Sequence, residues 1–139
     1  MHLSRVGKVE NDSAIVLIVE DDELIQAIVE DALNEGGFAT AIASSAEEAL
    51  TLLRGKVTNF RALVTDINLK GRTNGWEVAK LAREIDHAFP IIYMTGAAAN
   101  EWTSHGVPGS ILLEKPFAPA QVLTAVSQLL NAAALGQVI

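Results

Sequence analysis

Cysteine is missing altogether from the 139 residues. Disulfides, thiolate nucleophiles and cysteine-ligated metal sites are thereby excluded. Basic residues are scarce, 10 Lys and Arg against 17 Asp and Glu, for a formal net charge of −7. A surface of that sign repels a phosphate backbone, so nucleic acid is not expected as a direct partner. No apolar run approaches the ~20 residues that span a bilayer, and no apolar stretch follows Arg5 and Lys8 to make a signal peptide. The expectation is a cytoplasmic protein without a membrane partner. Aromatic residues are only 5% of the chain while 50% is hydrophobic. The composition is not that of a disordered chain, and the length fits one domain.

The apolar residues fall into short runs separated by polar, acid-bearing segments. Ala14 to Val19 (A-I-V-L-I-V) reads as a central strand ending abruptly at Glu20, Asp21 and Asp22. Leu24, Ile25, Ile28, Val29, Ala32 and Leu33 then recur at helical spacing, with Gly36-Gly37 as the stop. Phe38 to Ala43 is a weaker strand, and Ser44-Ser45 with Glu47-Glu48 opens a helix through Arg54. Phe60 to Asn68 (F-R-A-L-V-T-D-I-N) is a buried strand that stops on Asp66, and residues 70–75 form a polar, glycine-rich loop. Trp76, Val78, Ala79, Leu81, Ala82 and Ile85 mark the next helix, Ile91 to Thr95 a fourth strand, Ala97 to His105 a short irregular helix and Ser110 to Glu114 a fifth strand. Val122, Leu123, Val126, Leu129 and Leu130 mark a last helix. Strand–helix alternation repeated in this way predicts a doubly wound α/β fold, a five-stranded parallel sheet with helices on both faces.

In such a sheet, chemistry collects just beyond the carboxyl ends of the strands. The first strand offers Glu20 and Asp21 there, the third Asp66, the fourth Thr95 and the fifth Lys115. Taken singly, each has an ordinary reading: Asp66 a turn former, the Glu-Asp-Asp run a helix cap, Thr95-Gly96 a turn, Lys115 a surface charge. Their joint placement, each at a strand end, has no such reading. Crowded carboxylates repel one another, and a hard divalent cation such as Mg²⁺ among them would relieve the repulsion. A cation, an ammonium and a hydroxyl around one carboxylate also describe a place for a phosphoryl group.

The chain resembles the receiver domains of bacterial two-component response regulators. The resemblance is carried by V-L-I-V-E-D-D at 16–22, L-V-T-D-I-N-L at 63–69, N-G-W-E-V-A at 74–79, Y-M-T-G-A at 93–97 and E-K-P-F at 114–117, and it spans nearly the whole length. It implies the flavodoxin-like strand order 2-1-3-4-5. It also implies a phosphoprotein of a phosphorelay, not an enzyme in the ordinary sense, that takes a phosphoryl group from the phosphohistidine of a sensor histidine kinase or phosphotransfer protein onto Asp66. Mg²⁺ would be bound by Asp21, Asp66 and the backbone carbonyl of Asn68, with Glu20 assisting through water. Lys115 and Thr95 would engage the phosphoryl group. Lys115–Pro116 is expected as a cis peptide, which only proline makes cheap.

Phosphorylation would switch contacts with a downstream protein target or a second copy of the chain, or pass the group onward as a shuttle. The expected layout is a flexible leader at 1–13, a receiver domain at 14–134 and a tail at 135–139, with no output domain, and the short ends favour a whole protein. The departures from the family pattern are specific. Glu20 stands where aspartate is common, Lys70 where proline is usual, the 70–75 loop is one residue longer, and Thr95 to Lys115 is slightly short. Leu112 replaces an aromatic residue, and Ala97, beside Gly96, is expected to leave water access to the phosphoryl group. An aspartyl phosphatase on a similar sheet would need an acid at Asn68. A flavin-binding module would need a phosphate-cradling loop where Glu20, Asp21 and Asp22 stand. His87 and His105 read as structural or surface residues, Trp76 as packing at the start of its helix, and Trp102 as a candidate for a partner-facing surface.

Overall fold

The computed structural model describes residues 15–55 and 59–138. Residues 1–13, expected as a leader, Ala14, expected to open the first strand, residues 56–58 and Ile139 lie outside the described residues. Five strands, β1 (Ile15–Val19), β2 (Ala39–Ala43), β3 (Phe60–Asp66), β4 (Ile91–Thr95) and β5 (Ile111–Glu114), form one sheet in the order β2-β1-β3-β4-β5. Every neighbouring pair is parallel, as the alternating pattern predicted. β1, β3 and β4 read as continuous apolar runs because both of their faces are covered. Alternate residues point to opposite faces. Leu17, Val19, Leu63, Ile91 and Tyr93 therefore pack with α2 (Ala46–Gly55) and α3 (Gly75–Ile85). Val16, Ile18, Ala62, Val64, Ile92 and Met94 pack with α1 (Glu23–Glu35) and α5 (Pro119–Val138).

Local chemistry sets the helix ends. Asp22 caps α1, its Oδ1 accepting from the Leu24 amide at 2.9 Å and the Ile25 amide at 3.4 Å. Ser45 Oγ accepts from the Glu48 amide at 3.1 Å and Glu48 Oε1 from the Ser44 amide at 2.8 Å, a reciprocal cap on α2. Asn74 and Glu77 form a capping box on α3. The segment after β4 is short and irregular, as expected: a 3₁₀ turn at Ala99–Glu101 runs into a one-turn α4 at Trp102–His105. Trp102 Nε1 donates to Ser110 Oγ at 2.9 Å, and Ser110 Oγ donates to the Val107 carbonyl at 2.6 Å. The Ser110 amide also donates back to the Val107 carbonyl at 3.3 Å, and β5 begins one residue later than its apolar pattern proposed.

The largest difference is in α5. The stripe of Val122 to Leu130 located its middle, but the helix opens at Pro119, where a missing amide costs nothing. Gln121 Oε1 accepts from the Ala118 amide at 2.6 Å ahead of it. The helix also runs through 135–138, expected as a tail, because the run Asn131 to Leu135 is rich in alanine and leucine and holds no breaker.

The Asn74 box closes the loop that leads from β3 into α3. Asn74→Ala is expected to lower stability by about 1 kcal/mol in urea denaturation, and Asn74→Asp to be near neutral. Equal losses in both variants would show that the cap contributes nothing.

Candidate functional site

Parallel pairing puts all the carboxyl ends of the strands on one edge of the sheet. Val19 lies beside Thr65, and Thr65 beside Tyr93. The residues one step further, Glu20 and Asp66, therefore meet at the rim, while Thr95 lies opposite Glu114, next to Lys115. The sequence-predicted residues Glu20, Asp21, Asp66 and Lys115 are brought together. One carboxylate oxygen from each of Glu20, Asp21 and Asp66 lies within 4.8 Å of the others. Lys115 Nζ stands 3.1 Å from Glu20 Oε1 and 3.3 Å from Asp66 Oδ1.

Burial makes these charges consequential. Glu20 is 1% exposed and Asp66 5%. Desolvation raises the pKa of both above the ordinary carboxylate range. For Asp66 the ammonium of Lys115 works the other way and the Asp21 charge adds to the rise; for Glu20 the Asp22 amide opposes it and the Asp66 charge adds to it. Burial opposes the Lys115 ammonium too, but the hydrogen bond to Glu20 and the Asp66 charge outweigh it and raise its pKa.

The surrounding backbone holds the acids in place. Glu20 Oε2 accepts from the Asp22 amide at 3.1 Å, and Asp21 Oδ2 from the Lys70 amide at 3.1 Å. Gln26 Nε2 donates to the Glu20 carbonyl at 2.6 Å and to Ser44 Oγ at 3.2 Å, tying α1 to the ends of β1 and β2. Gln26 was invisible in the sequence, where a glutamine one turn into an amphipathic helix carries no signal. Gly75 was read only as part of a polar loop. It is required by close approach, since a Cβ there would strike the Asp66 carbonyl oxygen and stand 2.9 Å from Ile67 Cα.

Thr95 is buried at the rim, and its Oγ1 accepts from the amides of Ala97 at 3.1 Å and Ala98 at 2.8 Å. Ala97, Gly96 and Asn68 are exposed. Lys115–Pro116 is cis. Leu112 is half-buried, packed against the apolar layer that contains Tyr93. His87 is exposed, and His105 lies beside Trp76 with ring centroids 5.6 Å apart. Trp76 is buried and also meets Tyr93 at 4.8 Å. Trp102 is only half-buried.

The donor set tests what the rim could hold. Three carboxylates face one ammonium, with no sulfur among them and no imidazole within the acidic cluster. Among the described residues, Asp21 Oδ1 has no hydrogen-bond partner, and Asp66 Oδ1 is held by the Lys115 ammonium. An all-oxygen set with surplus negative charge fits a hard divalent cation.

The "response regulator receiver domain" sequence family matches residues 16–127. A response regulator receiver protein from Sinorhizobium medicae is 44% identical, with a TM-score of 0.84 over 87% of this chain and 97% of that one. The chemotaxis response regulator CheY4 of Vibrio cholerae is 26% identical, with a TM-score of 0.73 over 85% of this chain and 99% of that one. The transcriptional regulatory protein CusR of Escherichia coli is 30% identical over 84% of this chain but only 51% of its own length. The chain thus spans about half the length of the curated relatives it matches.

The raised carboxyl pKa values carry a signed consequence for stability. A carboxyl that holds its proton more tightly when folded favours the fold at acid pH. That contribution is lost as pH rises from the ordinary values, 3.8 for Asp66 and 4.5 for Glu20, through the raised ones. In Mg²⁺-free buffer at pH 7, Asp66→Asn is therefore expected to melt at a higher temperature than wild type, the gap closing towards pH 4. Added Mg²⁺ should raise the wild-type melting temperature more than the variant's. A variant less stable than wild type at pH 7 without Mg²⁺ would contradict this electrostatic account.

Proposed function

The chain belongs to the response regulator receiver domain family of two-component signalling, and on that premise we propose that Asp66 is its phosphoryl acceptor. The observation that carries the reading is the Lys115 ammonium, 3.3 Å from Asp66 Oδ1, in a pocket where two more acids crowd the same oxygen set. In the transfer, an Asp66 oxygen attacks the phosphorus of a phosphohistidine. The new O–P bond forms as the P–N bond breaks, and the imidazole nitrogen keeps the electron pair. Lys115 neutralises charge on the phosphoryl oxygens. The Thr95 hydroxyl, which accepts from two loop amides and keeps its own proton available, donates to one of those oxygens. Asp21, Asp66 and the Asn68 carbonyl would hold Mg²⁺, whose charge when bound offsets that of the transferring group.

The partners this reading requires are a sensor histidine kinase or a phosphotransfer protein as donor, and a downstream protein as target, in the cytoplasm. Passing the group onward in a relay uses the same site. An aspartyl-phosphate hydrolase is disfavoured because Asn68, two residues after the acceptor, is a carboxamide with no acidic proton to give a leaving group. A receiver domain at 14–134 is part of the same proposal, as is a second copy of the chain as a partner. α5 supports that last point, since it carries no charged residue in a chain of net charge −7 and would bring no repulsion to a contact.

Incubation with Mg²⁺ and acetyl phosphate should add one phosphoryl group to the intact mass of the wild type and none to Asp66→Asn. Label on both, or on neither, would remove Asp66 from the role. Ala97, small and exposed beside Thr95, leaves the phosphoryl group open to water. Ala97→Arg is expected to lengthen the lifetime of the adduct roughly tenfold, a barrier change of ~1.4 kcal/mol. An unchanged lifetime would place the water path elsewhere.

A further inference from the structure

We propose that Gln26 is a positioning residue for the carboxylate of Asp21, an assignment that rests on Asp21 being a ligand of the cation. Gln26 stands one turn into α1 and holds the residue on either side of Asp21. Its Nε2 donates to the Glu20 carbonyl at 2.6 Å, and its backbone amide donates to the Asp22 carbonyl at 2.9 Å. Chemistry fixes the orientation of the side-chain amide, since a carbonyl only accepts and must face the nitrogen. Nε2 also donates to Ser44 Oγ at 3.2 Å, just past the end of β2.

These bonds act where the sheet stops acting. The Glu20 amide still continues the ladder, donating to the Ala43 carbonyl at 3.1 Å, but the Glu20 carbonyl is met by a side chain. A peptide unit is planar, so the Glu20 carbonyl and the Asp21 amide turn together. Holding that carbonyl sets the plane from which the Asp21 side chain departs. The far end of the same side chain is held from another element, its Oδ2 accepting from the Lys70 amide at 3.1 Å. Among the described residues Asp21 Oδ1 has no such bond. The carboxylate is gripped at one oxygen and offered at the other.

Half-exposure is what makes the grip necessary. Glu20 and Asp66 are fixed by burial, at 1% and 5% exposure, whereas Asp21 is half-exposed at the mouth of the cluster. A carboxylate left to solvent samples several rotamers, and ordering it at the moment of binding costs affinity. Partners that orient a ligand in this way account for about 10–100-fold in metal affinity. Gln26 makes no hydrogen bond to Asp66, Thr95 or Lys115 among the described residues. Its effect therefore falls on cation affinity and not on the transfer step.

Gln26→Met keeps the length and the helix propensity of the side chain while removing its donors. The Mg²⁺ dissociation constant, read by calorimetry, should rise roughly tenfold. At saturating Mg²⁺ the rate of Asp66 labelling by acetyl phosphate should return to within about twofold of wild type. Gln26→Glu separates orientation from charge. An added negative charge near the rim would by itself tighten Mg²⁺ binding, but a carboxylate cannot donate to the Glu20 carbonyl, so weaker binding is expected here too. In Mg²⁺-free buffer the Lys70 amide should exchange its hydrogen faster in Gln26→Met than in wild type, while the amides of β1 keep their protection. The assignment is overturned by a Mg²⁺ affinity within about twofold of wild type in Gln26→Met, or by tighter binding in Gln26→Glu. A labelling deficit that saturating Mg²⁺ does not remove, or a loss of protection throughout β1, overturns it equally. A wild type that binds no Mg²⁺ overturns the cation reading itself, and the exchange rate of Lys70 then still decides whether Gln26 holds Asp21.

Discussion

Lys115 is one cation among three acids, and its contacts with Glu20 at 3.1 Å and Asp66 at 3.3 Å make the rim of the sheet tolerable. Two of those acids are almost wholly removed from water. Burying a carboxylate without a partner costs far more than a surface charge ever returns. A single ammonium cannot balance three negative groups, so the pocket retains a net demand for positive charge. That demand is the chemical content of the site. Under the proposed function, a cation would meet that demand and make room for a phosphoryl group that bare carboxylates would repel.

The fold supplies the geometry that this electrostatic arrangement requires. Parallel strands deliver Glu20, Asp66, Thr95 and Lys115 to one edge from four separate strand ends. The connecting segments then lock them. The Lys70 amide holds the β3 loop against Asp21 at the β1 end, while the Asp22 cap and the Gln26 amide fix α1 to that end. Gly75 lets the start of α3 rest on the Asp66 backbone itself. The aliphatic layers on both faces pack against this framework.

Much of this was legible before any coordinate. The five apolar runs located all five strands, since strands covered on both faces leave continuous aliphatic segments. The acids, the threonine and the lysine stood out because each followed such a run. Features that depend on one side chain meeting a distant backbone were not legible. Nothing local marks Gln26 as the partner of the Glu20 carbonyl, or Ser110 as the acceptor for Trp102. Gly75 looked like one more loop glycine, although the N-x-x-E pattern at 74–77 was available as a cap signal. The ends of α5 are not legible in its apolar stripe, which marks only the part that packs on the sheet. A helix rich in alanine continues beyond its own contacts.

The central claim is that one aspartate, at the end of β3, carries the phosphoryl group. Borohydride converts an acyl phosphate into the corresponding alcohol, which turns an aspartyl phosphate into homoserine and leaves free carboxylates untouched. After incubation with Mg²⁺ and a phosphoryl donor, reduction and peptide mapping should find homoserine at position 66 and nowhere else. Homoserine at position 21, or a phosphoryl group recovered on His87 or His105 with position 66 intact, would contradict the account.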